Sequence, residues 1–207
     1  MSFPLTVGGV TVDDPPALAA LVQADCGAEP VHVPGRRPSR WVVELVAAGA
    51  LDRRLAVALA VALLEAPSPA PLAEGARLAA ALAEPLLGPL VMKALAEQDP
   101  LVLLQLDPGA PGSSVEDTLA AAVEGVADLT HPELRAAFLA VLRHSGQSER
   151  EVRVLARFGT AAELRGWLPA VLAEPLSDGQ RAALAARRER GDDGAAVIAE
   201  QWSDAAS

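Results

Sequence analysis

Residues 55–64 read LAVALAVALL, ten apolar residues without interruption. A helix of this composition has no polar face to turn toward water, which predicts a segment buried on every side and a fold assembled around it. A membrane span needs about 20 apolar residues. Glu65 and Pro67 end the run well short of that, so the reading is a core helix. At 207 residues the chain has room for one large domain or two small ones around such a centre.

The rest of the core has to be built from small side chains. There are three Phe, three Trp and no Tyr, so Ala, Leu and Val must supply the packing. Lys93 is the only lysine, Ile198 the only isoleucine, and asparagine is absent, a pattern that suggests GC-rich coding. Richness in Ala, Arg, Gly or Pro is therefore not read as function. The formal charge of -10 argues against a nucleic-acid binder, whose footprint is a basic patch. Cys26 stands alone and cannot form an intramolecular disulfide, and no Cys/His spacing resembles a zinc site. The opening MSFPLTVGGVTVDD lacks a basic region followed by a long apolar one. The expectation is a cytoplasmic protein, bacterial in type, with no cofactor, no metal and no membrane partner.

Start and stop signals divide the chain into helices. Thr6-Val7-Gly8-Gly9-Val10-Thr11 reads as the centre of a β-hairpin over Leu5 to Val12, with Val31 to Val33 as a third short strand. Asp13 and Asp14 precede a helix over Pro16 to Cys26. Ser39 caps a helix over Arg40 to Ala48, and Gly49 separates it from the central helix, Leu51 to Glu65. Helices follow over Leu72 to Ala83 and Leu86 to Gln98. Downstream the capping box S/T-x-x-E/Q occurs at Ser113/Glu116, Thr130/Glu133, Ser148/Glu151, Thr160/Glu163 and Ser177/Gln180. Each precedes an apolar periodic stretch and predicts a helix start.

Prolines 38, 85, 132 and 175 stand 47, 47 and 43 residues apart, each at a helix start. The segments PLAEGARLAAALAEP and AAELRGWLPAVLAEP, ending at Pro85 and Pro175, agree at six of fifteen positions. With this period and helix pattern the chain resembles a short, degenerate α-solenoid of the HEAT or armadillo type. The resemblance implies stacked units sharing one core, with surfaces that hold other proteins. The expected fold class is all-α: a HEAT/armadillo-like array, or an irregular bundle, of about 9–12 helices with a small N-terminal β-hairpin. Residues 1–37 form an N-terminal cap and 38–207 the helical domain, with loop 106–114 as the one place for a subdivision.

No phosphate loop, nucleophile elbow, zinc-protease or dinucleotide motif is present, and no catalytic residue is assigned. His32, His131 and His144 lack second ligands at metal spacing and read as structural. Cys26, at a helix end, reads as a small buried hydrophobe. The pairs Asp13-Asp14, Glu116-Asp117 and Asp192-Asp193 read as helix caps. Trp41 and Trp167 are expected in packing; Trp202, near the end of the last helix, is open between packing and an exposed ring that docks onto the array or a partner.

Charge distribution carries the functional expectation. Arg150, Arg153 and Arg157 share one helix face, with Arg143 on the preceding helix, and Arg53 and Arg54 open the central helix. With Trp202 these are the candidate protein-binding residues. They point to a non-catalytic scaffold or adaptor, a component of a multiprotein assembly, that holds an acidic segment of another protein. The alternative is an enzyme or a ligand- or nucleic-acid-binding module resembling helical-repeat DNA glycosylases or bilin lyases in architecture. A deep pocket collecting Trp with Arg, Asp or Glu would favour the alternative, and a smooth Arg-lined concave face without a pocket the scaffold.

Overall fold

Gly8 and Gly9 both have positive φ, 56° and 83°, and close a hairpin of β1 (Leu5–Val7) and β2 (Val10–Val12) with Val7 opposite Val10. The computed structural model describes residues 3–27 and 29–202. The last five residues of the expected 38–207 domain therefore lie outside the described residues. Helices follow: α1 (Pro15–Ala24), α2 (Pro38–Ala47), α3 (Arg53–Leu64), α4 (Pro69–Leu82), α5 (Gly88–Glu97), α6 (Pro100–Leu103), α7 (Val115–Val126), α8 (Pro132–His144), α9 (Ser148–Phe158), α10 (Ala161–Val171), α11 (Asp178–Arg188) and α12 (Asp193–Gln201). A 3-10 turn, Pro85–Leu87, leads into α5. The chain is all-helical apart from the hairpin, with twelve helices among the described residues. It divides into two compact units, residues 1–127 and 128–207. Loop 106–114 lies within the first, closed by a bridge between Leu106 and Ser114.

In the first unit the hairpin lies on α1, burying Val7 and Val12. The expected third strand does not form. Val31, His32 and Val33 instead turn their backbone N–H groups onto the Asp25 carboxylate at 2.9, 2.8 and 3.0 Å. Amides committed to a carboxylate are not available to a ladder. The 31–33 segment still passes close to the turn, where a side chain at Gly8 would collide with the His32 carbonyl.

The centre of this unit is α4, not the all-apolar α3. Leu59, Ala60, Leu63 and Leu64 of α3 are buried, yet Arg54, Ala58 and Ala62, four residues apart, form an exposed strip. Alanine is small enough to leave facing water at little cost, so an unbroken apolar run does not require enclosure. By contrast α4 buries nine of its residues, from Pro71 to Leu82, and packs against α2, α3 and α7. Gly75 permits the α3 crossing: a Cβ there would sit 2.8 Å from both Leu63 Cβ and the Leu64 backbone nitrogen. Gly75→Val is therefore expected to cost about 2–3 kcal/mol through overpacking. Thermal unfolding followed by circular dichroism tests this, and an unchanged midpoint would show that the crossing has slack.

A charged cluster sits inside α4. Glu74, with no exposed surface, accepts the Ser39 backbone N–H at 2.6 Å and two bonds from Arg77, at 3.0 and 2.8 Å. Arg77 also bonds Asp107, which accepts the Thr118 hydroxyl and the Gly109 N–H. Ser39 is thus the second residue of α2 rather than its cap, and Glu74 satisfies its free N–H from another helix.

The second unit packs α9 against α8 and α11, and α12 against α10 and α11, over Phe138, Leu155, Leu164, Leu168, Leu184 and Ile198. The capping boxes at Thr160/Glu163 and Ser177/Gln180 form as read. The box ahead of α7 in the first unit is Ser114/Asp117, one residue later than expected. Two do not form: His131 is the N-cap of α8, with the Thr130 hydroxyl bonded to Asp128, and Gln147 is the N-cap of α9, with Glu151 bonded to Arg143. Asp14 and Asp192 cap α1 and α12, and Asp117 completes the Ser114 box by accepting the Ser114 N–H.

Candidate functional site

A half-open recess of about 930 Å³ is cut into the second unit by α8, α9, α10 and the start of α11. Leu139 of α8, Val152 and Leu155 of α9, and Trp167 and Val171 of α10 give it an apolar floor. Glu149, Glu151, Glu163 and Glu174 supply four carboxylates against one guanidinium, Arg143.

Local sequence explains the opening. On α10, Glu163, Gly166, Trp167, Ala170 and Val171 fall at helical spacing on one face, while Leu164 and Leu168 turn into the core. Gly166 and Ala170 are too short to fill the space beside the Trp167 ring, which stays half-buried. On α11, the missing side chain of Gly179 lets Glu149 lie against the helix start, where the Ser177 hydroxyl donates to it at 3.4 Å.

Two carboxylates are fixed. Glu151 accepts from Arg143 at 2.6 Å. Glu163 takes a two-pronged bond from Arg135, at 3.1 and 2.8 Å, and accepts the Thr160 N–H at 2.7 Å as part of its capping box. Partial burial pushes the Glu163 carboxyl up, but Arg135 and Thr160 outweigh that and hold it below the usual range, so it is charged at neutral pH. Glu149 and Glu174 are exposed at the rim.

The recess brings together only one of the arginines singled out from the sequence. Arg143 lines it; Arg150, Arg153 and Arg157 share the face of α9 opposite the lining residues Ser148, Val152 and Leu155. Arg157 stacks over the Phe158 ring at 4.9 Å. Arg53 belongs to the first unit, where it bonds the Leu82 carbonyl at the end of α4 and Glu84 at 3.3 Å. Arg54 is exposed on the first turn of α3. Trp202 is buried, with the Arg188 guanidinium 5.3 Å from its ring, and presents no face to a partner. Trp167, expected in packing, and Glu151 and Glu163, expected in capping boxes, are brought together in the recess with Glu149 and Glu174.

Cys26 is buried, donates to the Val22 carbonyl at 3.2 Å, and burial with the nearby Glu74 charge pushes its pKa up to about 12, leaving an inert thiol. Among the described residues no group of three or more His, Cys, Asp or Glu is placed to hold a metal ion, and no helix is long and apolar enough to cross a membrane. No family model, curated protein or solved structure matches the chain, and the recess stands on its own geometry.

Proposed function

We propose that the chain is a non-catalytic helical binding module and that its second unit holds a positively charged, partly apolar segment of another protein in the recess. The observation that carries this reading is the pairing of an apolar floor with four carboxylates and a single guanidinium. An amphipathic helix laid into such a groove buries its apolar side and sets lysine or arginine against the rim. The partner is thus basic, the reverse of the acidic segment that the arginine stripe suggested. A HEAT-like repeat period is part of the same proposal, supported by Pro38 and Pro132 opening α2 and α8 two periods of 47 residues apart, with Pro85 between them opening the 3-10 turn; Pro175 lies ahead of the α11 cap and opens no helix. A second reading, a small organic cation, is favoured by Trp167 lying beside Arg143 and the carboxylates, the collection of residues expected of a ligand-binding module, although the recess is half-open rather than deep; a cation stacks on an indole face.

The test is tryptophan fluorescence in the Trp41→Phe background, which leaves the recess residue Trp167 and the buried Trp202 as reporters. An 18-residue amphipathic helix of leucine and lysine is expected to give a saturable change that weakens at least tenfold with Glu149→Gln plus Glu174→Gln and fades as salt rises. Binding indifferent to that double change would reject the recess. Spermidine producing and saturating the same change would transfer the site to the small-cation reading.

A further inference from the structure

The four carboxylates of the recess are not equivalent, and the way they are paired gives the groove a direction. At one end Glu163 is gripped by Arg135, at 3.1 and 2.8 Å, so the two charges cancel. Toward the other end Arg143 cancels Glu151 in the same way, at 2.6 Å. Glu149 and Glu174 remain. Both are exposed, and neither has a guanidinium or ammonium partner among the described residues.

These two stand at the same end. The Ser177 hydroxyl, three residues past Glu174, donates to Glu149 at 3.4 Å, and Glu149 lies against Gly179. Arg181 of α11 does not neutralise them, being bonded to Asp178 and the Leu176 carbonyl. Helix dipoles do not offset them either: α9 and α11 begin here while α8 and α10 end here, two positive termini against two negative ones.

Between the ends, α10 runs for 11 residues, about 16 Å, alongside the apolar floor. Screening at physiological salt acts over about 8 Å, so a base at the Glu163 end does not feel Glu149 and Glu174. Nor does it gain from Glu163, which it would have to take from a buried guanidinium. Only bases at the Ser177 end are rewarded, and beyond them the groove favours apolar side chains.

Resting on the recess as the site of a basic, partly apolar segment, we propose that the segment it selects is asymmetric along its length. Its lysines or arginines are gathered at one end, against Glu149 and Glu174, and its apolar remainder extends over Leu139, Leu155 and Trp167 toward Glu163. The basic cluster sets the direction in which the segment lies.

The experiment titrates the full chain with three helices of equal length and equal leucine and lysine content, the lysines gathered at the N-terminal end, gathered at the C-terminal end, or spread evenly. Both gathered forms are expected to bind at least fivefold more tightly than the spread form, and Glu149→Gln plus Glu174→Gln to abolish that difference. A nitroxide on the lysine end of either gathered helix should broaden the Glu149 and Ser177 amide signals, and one on the leucine end those of Ala136 and Glu163. Equal affinity of all three helices, or a label on the lysine end that broadens both amide sets alike, would overturn the asymmetry while leaving the recess as a binding site. Failure of all three to bind would overturn the recess reading and this inference with it.

Discussion

Arg135→Leu is expected to remove about 3–5 kcal/mol from the stability of the second unit, the usual loss when one partner of a buried ion pair is deleted. Arg135 is 1% exposed, yet its guanidinium reaches the Leu129 and Thr130 carbonyls at 2.8 and 3.0 Å while both remaining nitrogens grip Glu163. One side chain thus ties the turn ahead of α8 to the start of α10. Leucine fills part of the volume but leaves two carbonyls without their donors and Glu163 without its cation. Arg135→Lys keeps the charge and loses the planar fork, so it should fall between leucine and wild type. Urea unfolding read by Trp167 and Trp202 in the Trp41→Phe background measures this. A loss below about 1 kcal/mol would place the pair with ordinary surface ion pairs.

In the first unit Asp25→Ala is expected to cost a similar amount, about 3–5 kcal/mol, since three backbone N–H groups lose a charged acceptor in a buried site. Asp25 has no exposed surface and also contacts His32 Nδ1 at 2.9 Å. Burial pushes its carboxyl up, but the bonds from His32, Val33 and Val31 outweigh burial and hold it below the usual range. A lowered folded pKa stabilises fully above the unfolded value, about 3.9, and that contribution is lost as pH falls through the folded one. The gap between wild type and Asp25→Ala should therefore be constant from neutral pH to about pH 5 and shrink below about pH 4. Asp107 acts in the same direction: burial raises it, and Arg77, Thr118 and Gly109 lower it further than burial raises it. Urea midpoints of both chains between pH 7 and pH 3 settle the sign; a gap that widens in acid would contradict it.

These anchors mark the boundary of what the sequence discloses. Helix starts were legible because a cap acts within four residues: Thr160/Glu163 and Ser177/Gln180 form as written, and Ser114/Asp117 shifts by one because Asp serves as well as Glu at the third position. Two boxes fail for different reasons: Glu151 bonds Arg143 from the preceding helix, and the Thr130 hydroxyl bonds Asp128 in the turn ahead of α8. Hairpin geometry was legible for the same local reason, from Gly8-Gly9. The apolar run at 55–64 misplaced the centre, because composition does not say which alanines face inward. The true centre carries its own sign, Glu74 and Arg77 one turn apart in an otherwise apolar helix. Their partners at Ser39 and Asp107 lie 35 and 30 residues away, beyond any local pattern. The recess was hidden for a related reason. Counting arginines along α9 gives a charge but not the face that other helices leave open, and the open face carries Glu149, Glu151 and, from α10, Trp167.

The buried cluster around Glu74 also orders events in time. A ribosome delivers α4 before Asp107 and Thr118, so during synthesis Arg77 and Glu74 emerge with half of their partners not yet made. Until about forty further residues follow, the most enclosed helix of the unit carries an incomplete ion cluster that its neighbours have no reason to bury. The first unit is therefore expected to close late and all at once, when the turn at 107–118 arrives, rather than to accrete helix by helix from its N-terminus.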